Sequence, residues 1–142
     1  MSNALRKTAI GKVTGLQVGF NATEFVVMDK GAWRALLPVE ITAVDTAYAA
    51  LVFTETKTTY EKALEDHMNK KANERGYTTI HTASLRAALV NSPYHAEGLV
   101  YGAWMDACNA KGYEVLAQVQ AGTIPLPAVE DFILMLPVLV LP

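Results

Sequence analysis

Three histidines, His67, His81 and His95, are the first residues of this chain to test for chemistry. They stand fourteen residues apart each time. Histidines that share a metal from one helix recur at three to five residues, and each needs a hydrogen-bond partner for its other ring nitrogen. This spacing offers neither, so structural or surface roles are expected and no metal. Glu97 and Asp106 are the next candidates, as a carboxylate pair. Nine residues on one helix put them about 180° out of phase, so they cannot share a site there. Glu97 lies in an apolar stretch at the start of its helix, where the helix dipole stabilises a carboxylate by about 0.3–1 kcal/mol. A structural role is expected, with a hydrogen bond to the preceding loop. Ser84 and Ser92 lack a nucleophile elbow or a Ser-x-x-Lys spacing. Gly11, Gly15 and Gly19 recur every four residues and match neither the dinucleotide fingerprint nor the phosphate loop. Cys108 is the only cysteine, which excludes an internal disulfide and a thiolate zinc site. It reads as a small core residue. No catalytic, cofactor-binding or metal-binding residue is expected, and the chain is not read as an enzyme.

The elements that position these residues change character along the chain. Lys12 to Phe20 alternates at period two through Leu16, Val18 and Phe20, which predicts a strand with one buried face. Its glycines predict a bend or a close backbone approach. Phe25 to Met28 reads as a second strand, Asp29-Lys30-Gly31 as a hairpin turn, and Trp33 to Leu37 as the return strand, ended by Pro38. Tyr48 to Thr54 is a further strand candidate, although Ala47 to Ala50 also permits helix. Met1-Ser2-Asn3-Ala4 matches a familiar protease scar and is set aside.

Near Thr56 the period becomes helical. Thr58 or Thr59 is the expected cap, and Tyr60, Ala63, Leu64, His67 and Met68 share a face. Arg75-Gly76 reads as the helix end. Ile80 to Leu89 reads as a short helix. Ser92 and Pro93 are expected as N-cap and first residue of a long helix running to Gln120, bent at Gly112 and terminated by Gly122. Pro125 and Pro127 stiffen a connector to a last helix over 128–136. The fold class is therefore α+β: a small N-terminal antiparallel β portion over 1–56, then a helical portion over 57–142 with an apolar C-terminal tail.

Composition narrows the function classes. The chain has 142 residues, 51% of them apolar and 18% charged, with a formal net charge of −2. At this size about 68% of the unfolded surface is buried on folding, enough for a real core. The densest charge run, Lys57 to Arg75, carries five basic and four acidic residues and reads as a solvated helix face. No basic stripe exists, so nucleic-acid binding is not expected. No secretory signal or run of 18 apolar residues appears, so membrane insertion is not expected either. A charge-poor, apolar composition suggests surface meant for a partner.

Two features give that suggestion residues. Tyr94, Tyr101 and Trp104 recur at helical spacing, which fits core packing and fits a subunit interface. The tail Val138-Leu139-Val140-Leu141-Pro142 is apolar throughout, so it must pack on its own chain or on another. Tyr94, Tyr101, Trp104, Leu139 and Leu141 are the expected interface anchors.

The order of several uncommon elements in the last 65 or so residues carries a resemblance. They are Arg75-Gly76-Tyr77, Asn91-Ser92-Pro93-Tyr94-His95-Ala96-Glu97, Trp104, Val119-Gln120-Ala121-Gly122, Pro127-Ala128-Val129-Glu130 and Leu136-Pro137. This region resembles a group of small phage and prophage proteins encoded beside tail-fibre or tail-tip genes. It departs from the group's pattern where Ser92 is inserted and where Cys108 occupies the turn of a second Trp. The resemblance implies a tail-associated structural or adaptor protein, in the virion tail or in the host cytoplasm during assembly. It implies other tail or fibre subunits as partners, in a homo-oligomer or hetero-complex, and brings no catalytic residues. An assembly chaperone absent from the virion is the alternative, with a small ligand-binding domain or enzyme behind it. Residues 1–56 carry no such resemblance.

Overall fold

The computed structural model describes residues 2–142. The fold is α+β, with a three-stranded antiparallel sheet near the N-terminus and a mostly helical C-terminal region. The chain forms two compact units, residues 1–58 and 59–142.

The first unit opens on a helix, α1 (Ser2–Thr14), where a strand was expected from Lys12 onward. Thr14 closes the helix: its hydroxyl donates to the Ile10 carbonyl at 2.8 Å and accepts from the Leu16 amide at 3.2 Å. Gly15 then turns the chain at φ +68°, a conformation glycine adopts without a Cβ penalty. The sheet follows in the order β1 (Val18–Phe20), β2 (Phe25–Asp29), β3 (Ala32–Ala35). Lys30 and Gly31, both at positive φ, make the two-residue β2–β3 turn, whose twist matches that of the flanking strands. Val18 pairs with Val27 and Val27 with Arg34, so these residues share a face. Val27 is fully buried there against Ala9, Ile10 and Val44, with Val18 and Phe25 packed beside it.

Pro38 does not end a strand; it opens α2 (Pro38–Asn73), a helix of 36 residues. The helix start is built by Glu40, whose Oε2 accepts from the Leu37 amide at 2.7 Å, three residues upstream. That is the reaching-back half of a capping box. Glu40 is gripped from the sheet as well. Arg34 donates to both its oxygens at 2.8 and 2.9 Å and to Asp29 Oδ2 at 2.8 Å. The guanidinium holds the Glu40 carboxyl far below its usual range, at about 2. Tyr48 to Thr54 lies inside α2, so the strand expected there is replaced by helix, and Thr58 and Thr59 are interior rather than caps. The hydroxyls of Thr42, Thr46, Thr54 and Thr58 donate to carbonyls four residues back, which lets β-branched residues sit in a helix.

The second unit begins within α2. Gly76, at φ +86°, terminates that helix, and the Tyr77 amide returns to the Ala72 carbonyl at 3.2 Å as in a Schellman cap. Thr79 caps α3 (Ile80–Ser84) by accepting from the Thr82 amide. The predicted helix over 80–89 then tightens into a 3-10 turn, Leu85–Ala88. The long helix α4 (His95–Gln120) starts two residues later than expected. Ser92 serves the turn before it instead, its hydroxyl accepting from the Tyr94 amide at 3.1 Å. Gly122, at φ +71°, ends α4. The last helix, α5 (Val129–Leu134), is shorter than the expected 128–136. Tyr101, Trp104, Cys108 and Val115 face the core from α4, against Leu64, Met68 and Ala72 of α2, Ile80 and Ala83 of α3, and Phe132 of α5. The Tyr60 hydroxyl donates to the Pro127 carbonyl, fixing the proline connector to α2.

Candidate contact surface

The five expected anchors separate. Tyr101 is 0% exposed and Trp104 is 5% exposed, so neither is presented to a partner. Tyr101 stacks edge-on to Tyr77 at 5.7 Å, and burial pushes its hydroxyl pKa up. The Trp104 indole Nε1–H donates to the Pro137 carbonyl, and its ring lies 5.9 Å from that of His67. Leu139 and Leu141 pack on the same core, so this half of the tail is satisfied within its own unit. These four residues belong to the core, and the helical spacing marked the face of α4 that folding itself buries. Tyr94 alone of the five is open, 52% exposed.

The residues around Tyr94 were not picked out by periodicity. Leu85, Leu89 and Val90 are all exposed, and they precede Tyr94 by no more than nine residues. Arg86 lies over the Tyr94 ring at 5.9 Å, a cation–π contact. No carboxylate pairs with Arg86 among the described residues. The signal in the sequence was Leu89-Val90 directly before Asn91-Ser92-Pro93: two large apolar residues where the chain leaves its helix.

Two contacts hold this ridge in place. At Gly98 a Cβ would lie 2.4 Å from the Ala87 amide nitrogen, so only glycine lets α4 lie against the 3-10 turn. Glu97, one residue earlier, is largely buried and bonded from the α2–α3 turn. Arg75 Nε donates to Oε1 at 2.7 Å and the Tyr77 hydroxyl to Oε2 at 3.2 Å. Glu97 therefore fastens the start of α4 to the Arg75-Gly76-Tyr77 turn.

The remaining candidates for chemistry are not gathered into one cluster. Among the described residues, no group of three His, Cys, Asp or Glu side chains is placed to hold a metal ion. His81 is exposed, and the His95 Nδ1 atom is buried without a hydrogen-bond partner. Burial lowers the His67 pKa, with Lys71 and Lys70 adding to the effect. Cys108 is fully buried, and burial pushes its thiol up to about 11, which keeps it protonated at neutral pH. No described helix is long and apolar enough to cross a membrane.

The chain matches no protein-family model, no curated protein and no solved structure.

Proposed function

We propose that this chain is a non-enzymatic structural or adaptor protein of a phage tail or tail fibre, acting through protein–protein contacts. The observation that carries the reading is the ridge of Leu85, Leu89, Val90 and Tyr94 with Arg86 across the tyrosine ring. Tyrosine and arginine are residue types favoured at interface hot spots, and here they stand together beside exposed aliphatic residues. The ridge stands on a rigid base, fixed by Gly98 and by the Arg75–Glu97 pair, so little ordering entropy opposes docking. The tail assignment rests on the resemblance of residues 75–137 to the phage group, whose ordered elements include this loop.

The test is co-expression with phage fibre and tail-tip proteins of the kind the resembled group accompanies, followed by co-purification and light scattering. A complex of defined mass that is lost in Leu89→Asp and Tyr94→Ala supports the reading. A folded chain that ignores all of these proteins overturns it. Mass spectrometry of purified particles then distinguishes a virion component, which is present, from an assembly chaperone, which is absent.

A further inference from the structure

The sheet of the first unit has a second face that the core does not use. Strand alternation places Gly19, Val26, Met28, Trp33 and Ala35 on it, opposite Val18 and Val27, with Gln17 beside Met28 at one end. An antiparallel sheet with one solvated side should alternate to polar residues there. This face is apolar throughout its centre. Trp33 is draped across it: its ring crosses to Gly19, where a Cβ would come within 2.9 Å of the indole. Trp33 is 48% exposed and lines an open groove together with Gly19, Val26 and Ala35.

The charges at the two ends of this face are self-complementary. Glu24 precedes β2 at one end of the sheet and Lys30 follows β2 at the other. Neither enters an ion pair among the described residues, whereas Asp29, Arg34 and Glu40 nearby are all engaged. A twofold axis at right angles to β2 sets two such faces together with their β2 strands antiparallel. Each Glu24 then meets the Lys30 of the other copy, and the two Trp33 rings meet at the centre. This is the isologous arrangement in which one patch is its own complement.

The geometry points to this outer sheet face, with Trp33 at its centre and Glu24 and Lys30 at its ends, as the docking face for a second copy of the chain. Three strands at about 4.8 Å spacing and four residues in length cover roughly 200 Å² in plan. Stable interfaces use about 800 Å² per partner, so the pair is a weak, concentration-dependent dimer. The proposal is independent of the tail assignment, and its test contains no phage partner.

Sedimentation equilibrium of the full chain over a concentration series reads it directly. The expected result is a monomer–dimer equilibrium with Kd between about 10 µM and 1 mM. Trp33→Ala weakens it by about tenfold or more. Glu24→Lys and Lys30→Glu, both exposed and outside the core, each weaken it by about tenfold, because like charges then face one another twice. Mixing these two single variants regenerates the dimer, since each supplies the charge the other lacks. Circular dichroism confirms that every variant keeps its fold. A chain still monomeric at about 1 mM overturns the proposal and leaves the face to a different protein. So does a dimer indifferent to Trp33→Ala, or charge variants that fail to recover on mixing.

Discussion

The Trp104 indole donates its Nε1–H to the Pro137 carbonyl oxygen at 2.8 Å, joining the middle of α4 to the point where the last helix gives way to the tail. Beyond that bond the tail divides by side. Leu139 and Leu141 turn onto the core, while Val138 and Val140, 84% and 75% exposed, turn away. The tail is therefore part of the second unit's stability rather than a free docking peptide.

Trp104→Phe is expected to lower stability by about 2–4 kcal/mol. It removes packing volume and leaves a partly buried carbonyl without its donor. Thermal denaturation should show the loss, and limited proteolysis should cut after residue 137 before it cuts elsewhere. Removing residues 138–142 should likewise lower the melting temperature. Val138→Ser with Val140→Ser should leave it within about 0.5 kcal/mol of the parent, because neither side chain is buried.

Gly98→Ala should destabilise by about 1–3 kcal/mol, although alanine is the better helix former. The added methyl meets the backbone of Arg86 and Ala87, which cannot move aside as a side-chain end can. Gly122→Ala is the contrasting control. Nothing crowds that position, and its cost comes only from a positive φ. Chemical denaturation of both variants checks the pair.

Acid should weaken the second unit through His67. Its folded pKa lies below the ordinary 6.5, chiefly because burial disfavours the charged ring. Above about pH 6.5 neither state is protonated and the full stability is present. As pH falls below that value the unfolded chain takes up a proton that the folded chain resists, so stability declines until the folded ring also titrates. Glu74 opposes the shift, and Lys70 and Lys71 favour it. Denaturant midpoints between pH 7 and pH 5 should fall in the parent and stay flatter in His67→Phe. Carboxylate effects such as that of Glu40 set in lower, below its ordinary 4.5.

Cys108 should be silent to thiol reagents in the folded protein. It is fully buried and its pKa is near 11, so neither access nor thiolate is provided. Labelling with a chromogenic disulfide should proceed at the unfolding rate and become immediate in denaturant.

The helical half was legible in the sequence wherever glycine and proline punctuate it. Gly76 and Gly122 mark the ends of α2 and α4, and both adopt the left-handed backbone. The Lys30-Gly31 turn was legible for the same reason. The helices α1 and the first part of α2 were not. Gly11 and Gly15 imitate strand breakers, and the threonines of α2 look like strand residues until their hydroxyls are seen bonded within the helix. The start of α2 was hidden because no Ser, Thr, Asp or Asn caps it. Glu40 reaches back instead, and Arg34 grips it from β3 only six residues upstream, a strand-to-helix pairing that neither a period-two nor a helical pattern marks. The burial of Tyr101 and Trp104 was not legible, because period and aromatic content identify a face without saying whether folding uses it. Trp104 and Tyr101 meet those criteria and are core; Leu89 and Val90 fail them and are exposed.

The draping of Trp33 over Gly19 has an optical consequence. Each compact unit contains a single tryptophan, and the two stand in opposite surroundings: Trp33 half open to solvent, Trp104 enclosed. Their emission maxima are separated by polarity, so the red side of the spectrum belongs to the sheet and the blue side to the helical unit. Heating the native chain thus yields two melting records from one cuvette, without a label or a substitution.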